Sequence, residues 1–165
     1  MTPFEMMRVV TGPDGREAVF HLRWENEGRW KETLVSSNSP VNLGSYREAI
    51  DGKLIHVDMV ECLTCPAGRR LEHQFEQQAS NDETLIPGVW FWDMDALIRT
   101  RRQAEVFETE TEVTVRVTTP AATEEWVFDR TTEIPIGYRT LTTDGTVGQE
   151  SRATSVVLLS GETIR

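Results

Sequence analysis

The chain has 165 residues, of which 38% are hydrophobic and 27% are charged, and its formal net charge is −10. This length suits one domain, residues 1–165, around a single hydrophobic core. The acidic balance argues against nucleic acid as a partner, because phosphate binding needs a basic surface, and against electrostatic docking on anionic lipid.

No apolar stretch reaches membrane-spanning length, and the first ten residues lack the basic and apolar regions of a signal peptide. We therefore expect no membrane-spanning segment. Two locations stay open. The protein is cytoplasmic, or it is periplasmic or extracellular if a targeting segment lies outside this chain.

Alternation with a period of two dominates the first half of the chain. Phe20, Leu22 and Trp24 share one face of a strand predicted over residues 18–24. A turn then leads to a hairpin partner over 30–35, and a further strand is predicted over 53–60. Residues 36–40 are predicted to be a loop, and the short segment 46–50 is not assigned.

The second half repeats this pattern. Valines alternate with polar residues over 113–117, Trp126 and Phe128 flank a valine, and β-forming residues continue over 136–143 and 153–159. Short runs separated by turn signals predict an antiparallel meander of at least six strands and give no support to βαβ units.

One segment is predicted to be helical. Asp93 can cap a helix over residues 94–104, in which apolar and polar side chains are both present. The alternative is that the aromatic run at 89–92 is a strand that continues into this segment.

Cys62 and Cys65 form the sharpest local motif. Three states stay open for them: a loop disulfide, two free thiols, or a metal site that would need His56 and His73 as further ligands. A thioredoxin-like role would need a βαβ context, which is absent. We expect a disulfide if the protein is exported, and we predict no metal and no cofactor.

His56 and Asp58 lie two residues apart, so their side chains would project from the same face of a strand. A carboxylate can orient and charge an imidazole, as in acid–base sites. An exposed polar face explains the pair more simply, and the chain contains no GxSxG, HExxH or P-loop motif. We therefore predict that the protein is not an enzyme.

The aromatic residues carry the functional hypothesis. Five tryptophans are many for this length. They can fill a core, or their indoles can line an apolar cavity under a curved sheet. On the residues alone core packing is the simpler explanation, and the alternative is a cavity that binds an apolar small molecule or a lipid. Its candidate lining residues, chosen by alternation, are Phe20, Leu22, Trp24, Trp90, Trp92, Trp126 and Phe128.

Two stretches resemble the LolA-like lipoprotein-carrier superfamily. Residues 46–58, with Asp51-Gly52-Lys53 at their centre, are similar to its step of strand, Asp-Gly-Lys, strand and Asp. Residues 125–139 are similar to its closing pattern of a strand ending in Asp, a Thr turn, an apolar-Pro step and a strand. The Asp144-Gly145 turn and a last strand complete that pattern.

This resemblance implies a mainly β fold, in which a curved antiparallel sheet forms an unclosed half-barrel with one or a few short helices on its concave side. It also implies a non-enzymatic carrier or sensor of an apolar ligand, such as a lipid or a lipoprotein acyl chain, in an exported location. A protein partner is a further candidate.

Three alternatives remain. A small closed β-barrel of lipocalin type would also bind a ligand, but its strand edges would all be paired. An enzyme on the same sheet would need a convergent polar cluster, with His56 and Asp58 as the first candidates. An interaction module would instead show a filled interior and an exposed apolar patch or edge strand.

Overall fold

The computed structural model describes residues 2–26, 28–38, 43–50, 53–61, 70–78 and 104–160. In this part of the chain the structure is built from strands, and no helix occurs. The strands are β1 (Phe4–Thr11), β2 (Glu17–Asn26), β3 (Arg29–Ser37), β4 (Tyr46–Ile50), β5 (Lys53–Glu61), β6 (Arg70–Gln78), β7 (Ala104–Glu108), β8 (Glu112–Thr118), β9 (Ala122–Asp129), β10 (Pro135–Thr142) and β11 (Val147–Leu158).

All eleven strands belong to one antiparallel sheet, in the order β6-β5-β4-β3-β2-β1-β11-β10-β9-β8-β7. The first and last strands therefore pair in the middle of the sheet, whereas β6 and β7 form its two edges. The sheet is not closed, so the mainly β, unclosed half-barrel is confirmed. The closed barrel of the second hypothesis is wrong, because the described edge strands β6 and β7 do not pair with each other.

The strands predicted from alternation correspond to β2, β3, β5, β8, β9 and β10, and their ends differ by a few residues. β11 begins six residues before its predicted start. Pro135 is the first residue of β10, and Gly145 has a φ of 83° in the turn before β11, as the sequence indicates. β1, β4 and β6 were not predicted from the sequence.

Only the last residue of the helix predicted over 94–104 is described, and it lies in a strand. This residue, Ala104, is the first residue of β7, where it lies opposite Val117 of β8. The rest of the predicted helix lies outside the described residues. No helix in the described part of the chain is long and apolar enough to cross a membrane.

One face of the sheet, the inner face, carries the core. Alternation and register place one apolar side chain from each of six adjacent strands in a row, which consists of Leu158, Phe4, Trp24, Trp30, Ala49 and Leu54. The first five are buried and the last is partly buried. Burial of each large apolar side chain contributes roughly 1.5–3 kcal/mol, so this row is a major source of stability.

A second apolar cluster lies on the inner face of the other half of the sheet. Val117, Trp126 and Tyr138 are buried there, and Ala104 and Phe128 pack against them partly buried. The rings of Trp126 and Tyr138 have their centres 5.6 Å apart. Both halves of the sheet therefore direct their buried aromatic side chains to the same face.

The turn between β10 and β11 gives a pH-dependent test of the fold. The Thr142 hydroxyl and the Thr146 backbone N–H donate hydrogen bonds to the Asp144 carboxylate and lower its pKa from 3.8 to about 2. Because the folded pKa is depressed, the stabilisation is present above about pH 4 and is lost as the pH falls towards 2. An NMR titration of the side-chain carboxyl is expected to find this pKa near 2.

Thr142→Val removes the hydroxyl donor and is expected to raise the pKa of Asp144 towards its ordinary value. If the pKa of Asp144 is the same in this variant as in the wild type, the hydroxyl is not the cause of the shift.

Candidate functional site

The candidate site lies where a second inner-face row changes from apolar to polar side chains. Strand register places six residues side by side in this row: Val156, Met6, Leu22, Glu32, Arg47 and His56. The first three belong to the core. The change therefore occurs between β2 and β3, on the side of the sheet that ends in β6.

A buried ion pair between Arg8 and Glu32 lies where the row changes from apolar to polar residues. Arg8 donates from Nε and Nη2 to Oε1 of Glu32, at 2.8 and 2.5 Å, and from Nη1 to Oγ of Ser151 at 3.1 Å. The side chains of Arg8 and Glu32 are only 6% and 2% exposed. Burial lowers the pKa of Arg8 and the charge of Glu32 opposes this, but an arginine stays protonated in either case. Arg8 therefore connects β1 to both β3 and β11.

Arg47 is the solvent-facing member of the same cluster. Its Nη2 lies 3.0 Å from Oε2 of Glu32, and its side chain is 38% exposed. Glu32 is thus shared by two guanidinium groups, which leaves the cluster of Arg8, Glu32 and Arg47 with a formal charge of +1. The exposed part of that charge is on Arg47.

A cavity of about 130 Å³ adjoins this cluster. It is lined by Phe20, Glu32, Leu34, Ser45, Tyr46, Arg47, His56 and Asp58. One wall is therefore apolar and aromatic, and the other carries charges. Such a mixed lining suits the polar end of an amphiphilic molecule, and the volume is below the 300–1,000 Å³ that is typical of sites for whole small molecules.

His56 and Asp58 both line this cavity. His56 Nε2 lies 3.1 Å from Asp58 Oδ1, and the two side chains are 48% and 38% exposed. Two residues of the cavity lining, Ser45 and Tyr46, carry a hydroxyl, and Oγ of Ser45 accepts a hydrogen bond from the Met59 backbone N–H at 2.9 Å. The prediction that the two residues share one face is confirmed by their contact.

Five predicted lining residues lie on the inner face. Leu22, Trp24 and Trp126 are buried in the two apolar clusters. Phe20 lines the cavity, with its ring centre 4.8 Å from the Arg8 guanidinium. Phe128 packs partly buried against the second cluster. The fold therefore brings the lining residues predicted in the first half of the chain and those predicted in the second half to one face. Their role in ligand binding stays a prediction.

The other predicted site residues lie outside the described residues: Trp90, Trp92, Cys62 and Cys65. The disulfide and the aromatic lining at 90–92 therefore stay predictions. His73, considered as a metal ligand, lies opposite Asp58 in the register of β5 and β6. Among the side chains that the structure describes, no group of three His, Cys, Asp or Glu residues could hold a metal ion.

Sequence reasoning missed the buried ion pair. Arg8 continues the spacing of two set by Phe4 and Met6, and Glu32 lies between two apolar residues at the same spacing. A charged residue at an inward position of an alternating strand is a signal of a buried polar contact, because an isolated charge there would be costly. When two such residues have opposite charges, the sequence indicates that they pair with each other.

No protein-family model matches the chain, and no curated protein matches it. Solved structures are similar in fold. An uncharacterized conserved protein from Thermus thermophilus has a TM-score of 0.54 and 10% identity, over 95% of this chain and 78% of that chain. MucB has a TM-score of 0.59 and 12% identity, over 98% of this chain and 55% of that chain.

A complex of MucA and MucB from Pseudomonas aeruginosa has a TM-score of 0.60 and 11% identity, over 98% of this chain and 53% of that chain. This chain therefore spans about half the length of the MucB chains. Identities at this level show the fold alone. MucB has a LolA-like fold, so the resemblance indicated by the sequence is confirmed at the level of the fold.

The ion pair can be tested by removing one charge. Glu32→Leu leaves the Arg8 guanidinium buried without its counter-ion and is expected to lower the free energy of unfolding by about 3–5 kcal/mol. Urea denaturation measures this loss. Glu48→Leu is the matched control, because Glu48 pairs with Lys31 at 3.7 Å near the surface and such pairs contribute about 0–1 kcal/mol.

The double variant Arg8→Met with Glu32→Leu removes both buried charges and is expected to regain most of the lost stability. If Glu32→Leu is no less stable than Glu48→Leu, the buried ion pair does not stabilise the fold.

Proposed function

We propose that the chain is a non-enzymatic binding domain of carrier or sensor type, whose inner face accepts the apolar part of a lipid or of a lipoprotein acyl chain. The observation that carries this proposal is the cavity on the inner face of the open sheet, which lies between apolar and charged walls beside the buried core. MucB-like and LolA-like folds are binding folds, which supports the same class of function.

The cavity suits the polar end of such a ligand. Arg47 offers a partly exposed guanidinium, and Phe20 and Leu34 offer the apolar surface beside it. A carboxylate or ester oxygen at Arg47 would place the following methylene groups against Phe20. Each methylene that leaves water contributes about 0.8 kcal/mol, so a chain of ordinary length can bind even though the charged end gains little.

The cavity is too small to hold a whole acyl chain, so the rest of the chain needs further inner-face surface. Val113, Val115 and Phe128 in the second half of the sheet are partly exposed on the described inner face. We infer that this surface is a second place on the inner face where an apolar chain can lie.

A non-enzymatic role is supported by the state of the acid–base candidates. His56 and Asp58 are open to water, and the partner of the Ser45 hydroxyl is the Met59 backbone N–H. An exposed pair of this kind fits a polar rim better than a catalytic centre, in which the reacting groups are held away from water.

Two expectations follow from the likeness to MucB. MucB-like and LolA-like folds are periplasmic, and we infer the same exported location for this chain. An oxidising compartment would permit the Cys62–Cys65 disulfide. Since MucB has been solved in complex with MucA, binding of a protein partner is the second candidate function.

A dansyl-labelled fatty acid tests the first candidate. The probe is expected to bind saturably, with a blue shift of its emission. Phe20→Gln removes an apolar wall of the cavity and is expected to weaken binding at least tenfold, because a large buried side chain contributes roughly 1.5–3 kcal/mol. Fluorescence titration measures the dissociation constant.

Val19→Gln is the matched control, since Val19 lies next to Phe20 on the same strand and on the opposite face of the sheet. Circular dichroism checks that both variants fold. Absence of saturable binding by the wild type, or an equal loss of affinity in both variants, would contradict an inner-face site.

A further inference from the structure

The outer face of the sheet, opposite the core, carries a row of alternating charges across β7 to β11. Strand register places these five residues side by side, and we call them the charge ladder: Glu105, Arg116, Glu125, Arg139 and Glu150. Each strand contributes one member, and the sign of the charge changes at every step.

Glu125 holds the middle of the charge ladder. Its side chain is 2% exposed, and it accepts hydrogen bonds from Nε of Arg116 at 2.6 Å and from Nε of Arg139. Burial raises the pKa of Glu125, but the bonds and charges of Arg139 and Arg116 outweigh burial and hold it below its ordinary value. The carboxylate therefore fixes two guanidinium groups that are themselves 36% and 45% exposed.

A trough runs beside the charge ladder. The next outer-face row consists of Phe107, Thr114, Val127, Gly137 and Arg152. Its three middle members are small. This row and four members of the charge ladder line the trough, a groove of about 360 Å³. Gly137 sets the depth of the floor, because a Cβ there would lie only 3.1 Å from Cβ of Val127.

The two ends of the trough differ in chemistry. Phe107 is 45% exposed, and the guanidinium of Arg116 lies 4.7 Å from its ring centre. At the other end, Arg152 is exposed and makes no ion pair with any residue that the structure describes. The trough therefore offers an aromatic surface at one end and an available cation at the other.

We propose that this groove binds an extended peptide segment of a partner protein, with an apolar residue against Phe107 and a carboxylate at Arg152. The trough crosses four strand spacings, or about 19 Å, which six extended residues span at ~3.3 Å each. Its volume lies within the range of known binding sites.

The charge ladder selects a peptide over an acyl chain. Carboxylates and guanidiniums alternate along one wall of the trough, and an extended backbone presents alternating N–H and C=O groups that can bond to both. A hydrocarbon chain would cover the same charges without replacing their bonds to water, which is costly. This site lies on the opposite face from the proposed lipid site, so each can fail without the other.

The test uses the six-residue peptide acetyl-Phe-Thr-Val-Thr-Val-Asp and amide NMR spectra of the full chain. Titration is expected to shift resonances of β7 to β11 around Phe107, Gly137 and Arg152. Arg152→Gln is expected to weaken binding roughly tenfold, as for loss of a charged hydrogen bond. A C-terminally amidated peptide that ends in Asn is expected to bind the wild type and this variant with equal, weaker affinity.

Arg23→Gln is the control, because Arg23 lies on the outer face of β2, outside the groove. This control is expected to bind the acidic peptide as the wild type does. The proposal is overturned if the wild type binds neither peptide, if Arg152→Gln binds the acidic peptide unchanged, or if the shifts lie on the inner face. It is also overturned if sodium dodecanoate, rather than the peptide, shifts the groove residues.

Discussion

The pairing of the first strand with the last is the constraint on which this structure depends. Each half of the sheet is a series of hairpins between neighbours in sequence, but β1 and β11 join residues at opposite ends of the chain, from Phe4 opposite Leu158 to Thr11 opposite Glu150. Closing so long a loop costs conformational entropy, and contacts of this kind slow folding. The buried Arg8 connects β1 to Ser151 of β11 and so stabilises this junction.

This junction decides what each face of the sheet can do. On the inner face it puts the apolar row of the first half and the second aromatic cluster on the same side of the sheet, as two separate clusters. On the outer face, the charge ladder ends on β11 next to the junction. Both faces use the same arrangement, a carboxylate between two guanidinium groups, at Glu32 and at Glu125. Only at Glu32 is one of the two guanidiniums buried, which makes the inner cluster a structural element as well as a candidate contact for a ligand.

The sequence predicts the strands in which alternation is clean. Residues 18–24 alternate without a break and form most of β2, whereas β6 is largely polar and offers little apolar periodicity. In β1, two adjacent methionines and an inward arginine obscure the pattern. The Asp144-Gly145 turn was recognisable because its chemistry is local, and the likeness to LolA-like domains followed from such local steps.

The parts that sequence could not provide depend on register. Alternation assigns Phe20 and Trp24 to one face and Trp126 and Phe128 to one face, but only the order of the strands shows that the two faces are the same. For the same reason, the charge ladder could not be read from the sequence, since its members come from five strands. The pairing of Arg8 with Glu32 could have been inferred from the sequence. Both residues occupy inward positions of alternating strands, and two buried charges of opposite sign stabilise each other.

The central claim is that the inner face holds an apolar ligand, and the most direct measurement is native mass spectrometry of the protein purified from its own host. The account predicts a discrete added mass that is lost on denaturation and recovered as a lipid or acyl chain in an organic extract. A spectrum that contains only the mass of the bare polypeptide, together with an extract free of lipid, would contradict it.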